Sequence, residues 1–185
     1  MLFSHDTERS LTCIVDLVNS EPSSEQPERL PDLVALAGFA ERHGIRSIGD
    51  LTAGDVPEVL ALRTALRAVF DAADDRSAAA EVNALIAQAA VRPRLTDHDG
   101  YEWHLHYVMT GSSLSDHLAV DCGMALAQVV ATGERERLRR CDAPDCTRVL
   151  VDLSRNRSRR YCDARTCGNR LHVAAYRERR RTAEV

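Results

Sequence analysis

The chain has 185 residues, of which 44% are apolar and 4% aromatic, and its formal net charge is −4. This length is sufficient for one ordinary domain, or for one domain and a small module. All 24 basic side chains are arginine. Because there is no lysine, the chain cannot contain a P-loop lysine, a Schiff-base lysine or an attachment point for pyridoxal phosphate.

The charges are distributed unevenly along the chain. Residues 1–133 contain 9 arginines and 20 acidic residues, a net charge of −11, whereas residues 134–185 contain 15 arginines and 8 acidic residues, a net charge of +7. Genomic base composition would explain the missing lysines but not this clustering. A basic segment commonly binds a polyanion. We therefore predict an acidic domain over 1–135 and a basic module over 136–185.

The first ten residues lack the basic start and apolar run of a signal peptide. No apolar stretch approaches the roughly 20 residues that span a bilayer, so we expect a cytoplasmic protein without a membrane partner. In that compartment, cysteines are metal ligands or buried thiols more often than disulfides. Cys13 and Cys122 lie in apolar helical patterns, which predicts buried thiols.

The first half of the chain has mainly helical periodicity. Apolar residues over 11–18 follow the i, i+3, i+4, i+7 spacing of an amphipathic helix. A second helix is predicted from Pro31 to His43, because Pro is favoured in the first turn and Gly44 suits the position after the end. Thr52 and Asp55 resemble a capping box at the start of a longer helix.

In the later part of this domain, the spacing of the apolar residues changes from the helical period to the alternation of a strand. Ser77 is predicted to cap a helix that Pro93 stops. Over 94–108, large apolar residues alternate with polar ones on both sides of an Asp-His-Asp-Gly turn, which predicts a β-hairpin. Ser113 or Ser115 is expected to cap a last helix. These elements predict an α+β fold that is predominantly helical.

The C-terminal module contains two cysteine pairs with the same spacing. Cys141-x4-Cys146 and Cys162-x4-Cys167 are separated by 15 residues. Four soft thiolates from two such pairs favour one tetrahedral zinc ion, and a site filled by four cysteines is structural because no position is open. The alternative is four ordinary or redox-active thiols.

Arginines surround these cysteines. Two strands, 149–152 and 159–161, are predicted to flank a turn, and a helix is predicted from Thr166. Guanidinium groups bind phosphate bidentately and also read guanine edges, which favours duplex DNA as the partner. A protein-interaction module that uses zinc only as a staple is the alternative. The arginines predicted to bind nucleic acid are Arg155, Arg157, Arg159, Arg160, Arg170, Arg177, Arg180 and Arg181.

Two parts of the chain resemble a known family. Cys167-Gly168-Asn169-Arg170, together with the preceding residues 151–162, resembles the CGNR zinc finger, a bacterial module with a treble-clef-like fold. Residues 11–20, 63–67 and 83–85 resemble the ABATE domain, which precedes that finger in the family. The resemblance implies a transcription regulator of the stress response, with zinc on the four cysteines and DNA bound by the surrounding arginines.

Several further hypotheses concern the N-terminal domain. His104 and His106 share a strand face near Asp97 and Asp99, which could form a second metal site, although a solvent-facing strand is the simpler interpretation. No nucleophile elbow, dinucleotide-binding motif or P-loop occurs, so we expect no enzyme. A homodimer would suit paired half-sites in DNA. Three polar residues set among apolar helix positions could bind a small-molecule effector: Asn19, Arg63 and Asn83. Each of them could instead cap a helix or form a hydrogen bond between helices.

Overall fold

The computed structural model describes residues 3–24, 26–46, 48–96, 103–109 and 111–169, together with Val173 and Arg180. The chain divides into two compact units, Phe3–Arg135 and Glu136–Val185. The first contains five α-helices and a hairpin among its described residues, and the second contains a hairpin and a cluster of four cysteines. The prediction of a predominantly helical α+β fold with a C-terminal zinc finger is confirmed.

Helix α1 spans His5–Val18 and contains the predicted segment 11–18. It begins earlier than predicted because the Ser4 side chain accepts a hydrogen bond from the backbone N–H of Thr7 and so caps the helix. Three of the four positions in the predicted spacing are fully buried: Leu11, Ile14 and Val18. The fourth, Val15, is half-buried, and Leu17 is fully buried in addition.

Helix α2 spans Leu33–Arg42. Asp32 caps it, so Pro31 lies outside the helix rather than in its first turn. At the other end, Gly44 has a φ of +67°, the left-handed region that favours glycine, and its N–H donates to the Glu41 carbonyl at 3.0 Å. The predicted end of this helix is therefore correct.

Helix α3 spans Asp55–Asp71, and the predicted capping box at its start is only partly formed. The Asp55 carboxylate accepts from both the N–H and the hydroxyl of Thr52, at 2.7 and 2.9 Å. The Thr52 hydroxyl therefore donates to a carboxylate instead of accepting from a helix amide. The residue that precedes the helix is Gly54.

Helix α4 spans Asp75–Ile86 and is capped by Asp74, so the prediction that Ser77 is the cap is wrong by three residues. Ser77 is instead the third residue of the helix. Its N–H donates to the Asp74 side chain at 2.7 Å, and its hydroxyl accepts from the Asp74 N–H at 3.1 Å. Both reciprocal hydrogen bonds of the capping box are thus formed.

The predicted hairpin is formed by β1, Arg94–Thr96, and β2, His104–His106, which pair antiparallel. The predicted turn, residues 97–100, and residues 101–102, which were predicted to start the second strand, lie outside the described residues. Helix α5 then spans Leu114–Ala131, and Ser113 caps it through the N–H of Asp116.

Helix α5 packs against α1, α3 and α4 and forms the centre of the N-terminal unit. A methyl group at Gly123 would lie 2.7 Å from Cγ1 of Ile86, so the absence of a side chain permits the close approach of α5 and α4. No helix among the described residues is long and apolar enough to cross a membrane. The core contains these fully buried large side chains: Phe39, Leu11, Ile14, Leu17, Leu30, Leu36, Leu66, Leu85, Leu114, Leu118 and Leu126.

A buried arginine lies inside this unit. Arg63 on α3 is only 7% exposed, and its guanidinium donates to both carboxylate oxygens of Glu28 at 2.8 Å and to the Ser20 hydroxyl at 3.0 Å. The hydrogen bond from Arg63 is the main reason that the pKa of Glu28 is lowered. The loop that contains Glu28 is therefore fastened to α3 by an ion pair.

The strands of the second unit differ from the prediction. Strand β3, Leu138–Arg140, pairs antiparallel with β4, Val149–Val151. The segment 159–161, predicted to be the partner of β4, forms no strand. All three residues of β4 are buried, and Leu138 offers it an apolar partner, whereas Arg159 and Arg160 are exposed.

We predict that Glu28→Gln lowers the free energy of unfolding by about 2 kcal/mol, because the Arg63 guanidinium loses its charged hydrogen-bond partner inside the protein. Urea unfolding followed by helical circular dichroism measures this change. Glu81→Gln, on the exposed face of α4, is the matched control and should change stability by less than about 0.5 kcal/mol. Adding Arg63→Met to Glu28→Gln should recover part of the lost free energy of unfolding. Equal free energies of unfolding for Glu28→Gln and the control Glu81→Gln would contradict the prediction.

Candidate metal centre and arginine turn

The four predicted zinc ligands converge in the structure. Their sulfur atoms all lie within 4.8 Å of one another. Cys162 Sγ lies 3.7 Å from both Cys146 Sγ and Cys167 Sγ. A zinc ion bound at about 2.3 Å by four tetrahedral thiolates separates them by about 3.8 Å. The spacing and softness of this donor set therefore fit a structural zinc ion.

The first cysteine pair is held by a loop between β3 and β4. The N–H of Cys141 donates to the Arg148 carbonyl at 2.9 Å, which continues the strand pairing by one step. The N–H of Cys146 donates to the Ala143 carbonyl at 3.0 Å and closes a tight turn. This turn brings the two thiols of the pair to one side of the loop.

The second pair lies around a short helical turn, Ala164–Gly168. The Asp163 carboxylate starts it by accepting from the N–H groups of Arg165 and Thr166, at 2.7 and 2.8 Å. A methyl group at Gly168 would lie 3.3 Å from the Tyr161 ring. Glycine next to the last cysteine therefore lets the backbone pack closely against this aromatic side chain.

The surroundings shift the pKa values of two of these thiols in opposite directions. Burial acts to raise the pKa of Cys141, but hydrogen bonds from the backbone of Cys162 and Ala143 outweigh it and lower that pKa. Burial, followed by contact with the neighbouring sulfurs, raises the pKa of Cys162. A zinc ion supplies the positive charge that keeps such buried thiols deprotonated.

The cysteines of the metal site also belong to a packed cluster in this unit. Tyr161, Cys146 and Cys162 pack, partly buried, against a small cluster. Because few apolar groups of the described residues pack in this cluster, we expect the metal to contribute much of the folding free energy, as structural zinc does in other small modules. The fully packed members of this cluster are Cys141, Ala143, Leu150 and Cys167.

Asp152 is an important residue of the site that sequence analysis missed. It is fully buried, and its carboxylate accepts from the N–H groups of Ser154 and Arg159, at 2.9 and 2.8 Å. The Arg137 guanidinium donates to the backbone carbonyls of Asp152 and Ser154. An Asp two residues before a Ser at the end of a strand is a turn signal that could have identified it.

We call residues 154–158 the arginine turn. Arg155 and Arg157 are exposed there. Arg157 has a φ of +51°, a left-handed conformation that costs a non-glycine residue about 1–2 kcal/mol. The Arg157 carbonyl accepts from the Arg139 guanidinium at 3.3 Å, and its side chain lies 3.5 Å from Glu136. These contacts fix the direction of the turn.

Two of the predicted DNA-binding arginines also make contacts within the finger. The Arg159 guanidinium donates to the carbonyls of Tyr161 and Cys162, at 3.2 and 2.6 Å. Arg160 forms an ion pair with Asp142 at 2.8 Å, and its guanidinium lies over the Tyr161 ring at 5.9 Å. Both residues remain exposed, but part of their hydrogen-bonding capacity stabilises the metal loop.

The other predicted arginines follow the second cysteine pair. Arg170, Arg177 and Arg181 lie outside the described residues, and Arg180 is exposed. Arg165, which was not predicted, is exposed between Cys162 and Cys167. Its position inside the second Cys-x4-Cys loop is the signal that could have included it.

The three candidate effector ligands have different environments. Asn19 ends α1, and its carbonyl accepts from the Gln26 side chain at 2.8 Å. Asn83 is exposed on α4, whereas Arg63 is buried against Glu28. The structure therefore does not bring Asn83 into the buried polar group that contains Arg63.

The histidines suggested as a second metal site lie on strand β2. His104 and His106 occupy alternate positions of that strand, while Asp97 and Asp99 lie outside the described residues. Within the part of the chain that the structure describes, the four cysteines are the only group of three or more potential metal ligands with close ligand atoms.

Comparison with protein families identifies both units. Residues 137–180 match the family model of the CGNR zinc finger. Residues 12–133 match the ABATE model, whose description is "Putative stress-induced transcription regulator". No curated protein matches the chain. The two matches follow the order of the two structural units along the sequence.

We predict that Cys162→Ser lowers the zinc content from about one ion per chain to nearly none and unfolds the C-terminal unit, because structural zinc contributes about 10–16 kcal/mol to such modules. Elemental analysis and circular dichroism measure the two effects. Replacement of both Cys13 and Cys122 by Ala is the matched control and should retain the zinc. Full zinc content in the Cys162→Ser protein would contradict the assignment.

Proposed function

The chain belongs to the ABATE family and carries a CGNR zinc finger, and from this premise we propose that it regulates transcription by binding duplex DNA through the finger. The observation that carries the proposal is the arginine turn, in which Arg155 and Arg157 project from a loop anchored by the buried Asp152. A folded loop presents its charges in one orientation, which a frayed basic tail cannot do.

Charge favours a polyanionic partner. Residues 134–185 carry a net charge of +7, so the finger attracts phosphate groups at long range. Each guanidinium group can donate two parallel hydrogen bonds to a phosphate or to a guanine edge. Arg155 has no ion-pair partner among the described residues, which leaves its side chain available for such a contact.

In this proposal the zinc ion has a structural role only. The four thiolates complete the coordination of zinc, so the metal holds the finger in shape and takes no part in a reaction. The proposal assigns no catalytic role to either unit. A small-molecule effector and a homodimer remain hypotheses, and an effector that contacted the Arg63 guanidinium would have to compete with Glu28 and Ser20.

We predict that the double variant Arg155→Ala/Arg157→Ala binds duplex DNA at least about tenfold more weakly and that the slope of log affinity against log salt becomes shallower by about two, because two phosphate contacts are lost. Fluorescence anisotropy with the zinc-loaded protein at several salt concentrations measures both quantities. The starting probe is a mixed-sequence duplex.

The control for this experiment is Arg76→Ala/Arg94→Ala, which removes two exposed arginines from the N-terminal unit and should leave affinity within about twofold of the unmodified protein if binding resides in the finger. Zinc content and circular dichroism verify that both variants fold. If the zinc-loaded protein shows no duplex binding at 50 mM salt, the proposal fails, and a protein partner retained at high salt would favour the interaction module instead.

A further inference from the structure

Two of the arginines predicted to bind DNA already face carboxylates of the finger itself. Nη1 of Arg157 lies 3.5 Å from Oε2 of Glu136, and Nε of Arg160 lies 2.8 Å from Oδ2 of Asp142. All four residues belong to the C-terminal unit. Arg155, on the same turn as Arg157, is exposed and has no ion-pair partner among the described residues. The finger therefore presents paired and unpaired arginines side by side.

Glu136 is held next to the arginine turn by its backbone. It lies in a short 3₁₀-helical turn, Arg135–Arg137, directly before β3, and its carbonyl accepts from Nε of Arg139 at 3.1 Å. Nη1 of the same Arg139 donates to the carbonyls of Arg157 and Arg159, at 3.3 and 3.1 Å. One guanidinium group thus joins the backbone of Glu136 to the backbone of the turn and keeps the carboxylate beside it.

Asp142 is held next to Arg160 in two ways. Its backbone N–H donates to the Arg160 carbonyl at 2.9 Å, and its carboxylate accepts from the Arg160 guanidinium at 2.8 Å. Asp142 directly follows Cys141, so it lies within the loop of the first cysteine pair. The folded finger therefore holds this carboxylate beside Arg160.

The exposure of these side chains indicates that the two ion pairs contribute little to folding. Glu136 is 75% exposed and Arg157 43%, while Asp142 is 46% exposed and Arg160 65%. At such positions water screens the attraction, and two long side chains lose conformational freedom when they pair. What the carboxylates change is the electrostatic potential at the surface where a phosphate group would bind.

We propose that Glu136 and Asp142 compete with DNA phosphate for Arg157 and Arg160 and thereby lower the affinity of the finger for the duplex backbone. This inference rests on the proposed function, because it concerns the strength of the same contacts with DNA. A phosphate group that approaches either arginine meets a carboxylate at the same guanidinium. It must displace that carboxylate or bind next to a like charge, and both reduce the affinity.

The competition affects one class of contact. Phosphate contacts position a protein on the duplex and are the same for every sequence, whereas base contacts carry the sequence information. Weaker phosphate contacts therefore reduce binding to non-specific DNA, which offers no base contacts in compensation. The two carboxylates leave base contacts to decide which duplexes are bound.

A positioning role for the same carboxylates has the opposite consequence. If Glu136 held the Arg157 guanidinium in the orientation that DNA requires, loss of its charge would weaken binding. The contact of 3.5 Å is long for a hydrogen bond and imposes little geometry on the side chain. The backbone of Arg157 is already fixed by Arg139, and the Arg160 guanidinium also lies over the Tyr161 ring. These contacts favour competition over positioning.

Three variants with the same change of charge test the proposal. Glu136→Gln and Asp142→Asn each remove one paired carboxylate and keep the shape of the side chain. Asp145→Asn is the matched control, because Asp145 is exposed in the same unit and forms no ion pair among the described residues. Each variant raises the net charge by one, so a difference between them reflects the position of the carboxylate.

Fluorescence anisotropy with a mixed-sequence duplex measures the affinity of the zinc-loaded full chain at several salt concentrations. We expect Glu136→Gln and Asp142→Asn each to raise the affinity about three- to tenfold and to steepen the slope of log affinity against log salt by up to about one, because fuller neutralisation of phosphate releases more counterions. Asp145→Asn should stay within about twofold of the unmodified protein. Zinc content and circular dichroism verify that all three variants fold.

A double-mutant cycle isolates the ion pair from the general effect of charge. In an Arg157→Ala protein, Glu136→Gln should raise the affinity no more than Asp145→Asn does, because the arginine for which the carboxylate competes is absent. An equally large gain with and without Arg157 overturns the competition between Glu136 and phosphate.

The remaining outcomes separate this inference from the proposed function. If the unmodified protein binds the duplex, but Glu136→Gln or Asp142→Asn binds it no more tightly than Asp145→Asn, the role of that carboxylate is overturned while DNA binding stands. If the unmodified protein and all three variants show no duplex binding at 50 mM salt, both proposals are overturned.

Discussion

The convergence of four cysteine sulfurs is the constraint on which the C-terminal unit depends. Among its described residues the unit buries few large side chains, and the packed cluster around the metal site consists largely of the ligands themselves with Ala143 and Leu150. The hydrophobic free energy of so small a cluster cannot offset the conformational entropy of the loops. Metal coordination therefore replaces the hydrophobic core that holds the N-terminal unit together.

Asp152 connects the end of β4 to the exposed arginine turn. Its carboxylate lies directly after β4, where no water reaches it, and accepts backbone N–H groups on both sides of the arginine turn. Burying a carboxylate is costly unless its oxygens are satisfied, so the turn must keep the conformation that supplies those donors. The left-handed backbone of Arg157 is maintained in this way. The positive charges of the turn thus have a defined position relative to the metal.

The N-terminal unit uses its buried polar groups differently. Arg63 and Glu28 satisfy each other and fasten a loop to a helix. Cys13 on α1 and Cys122 on α5, by contrast, are buried as free thiols. The six cysteines therefore fall into two groups, four whose sulfur atoms converge on the metal site and two that are buried in the N-terminal unit.

Local chemistry explains which elements sequence analysis found. The helix over 11–18, the Gly44 end of α2 and the Ser113 cap were predictable because each depends on residues within a few positions of one another. The spacing of the two cysteine pairs similarly identified the zinc ligands. The capping residue was predicted wrongly where several polar residues lie near the helix start, as at Asp74 and Ser77. Spacing alone does not decide which of them accepts hydrogen bonds from the helix amides.

The sequence by itself determined the helical periods, the two charge domains and the metal ligand set, since these follow from residue type and short spacing. Only the tertiary structure decided the partner of β4, because strand pairing depends on which distant segment offers an apolar face, and Leu138 does so while Arg159 and Arg160 do not. The pairing of Arg63 with Glu28 was decided in the same way. No local pattern joins them, because 35 positions separate the two residues and only the folding of the loop against α3 brings their side chains together.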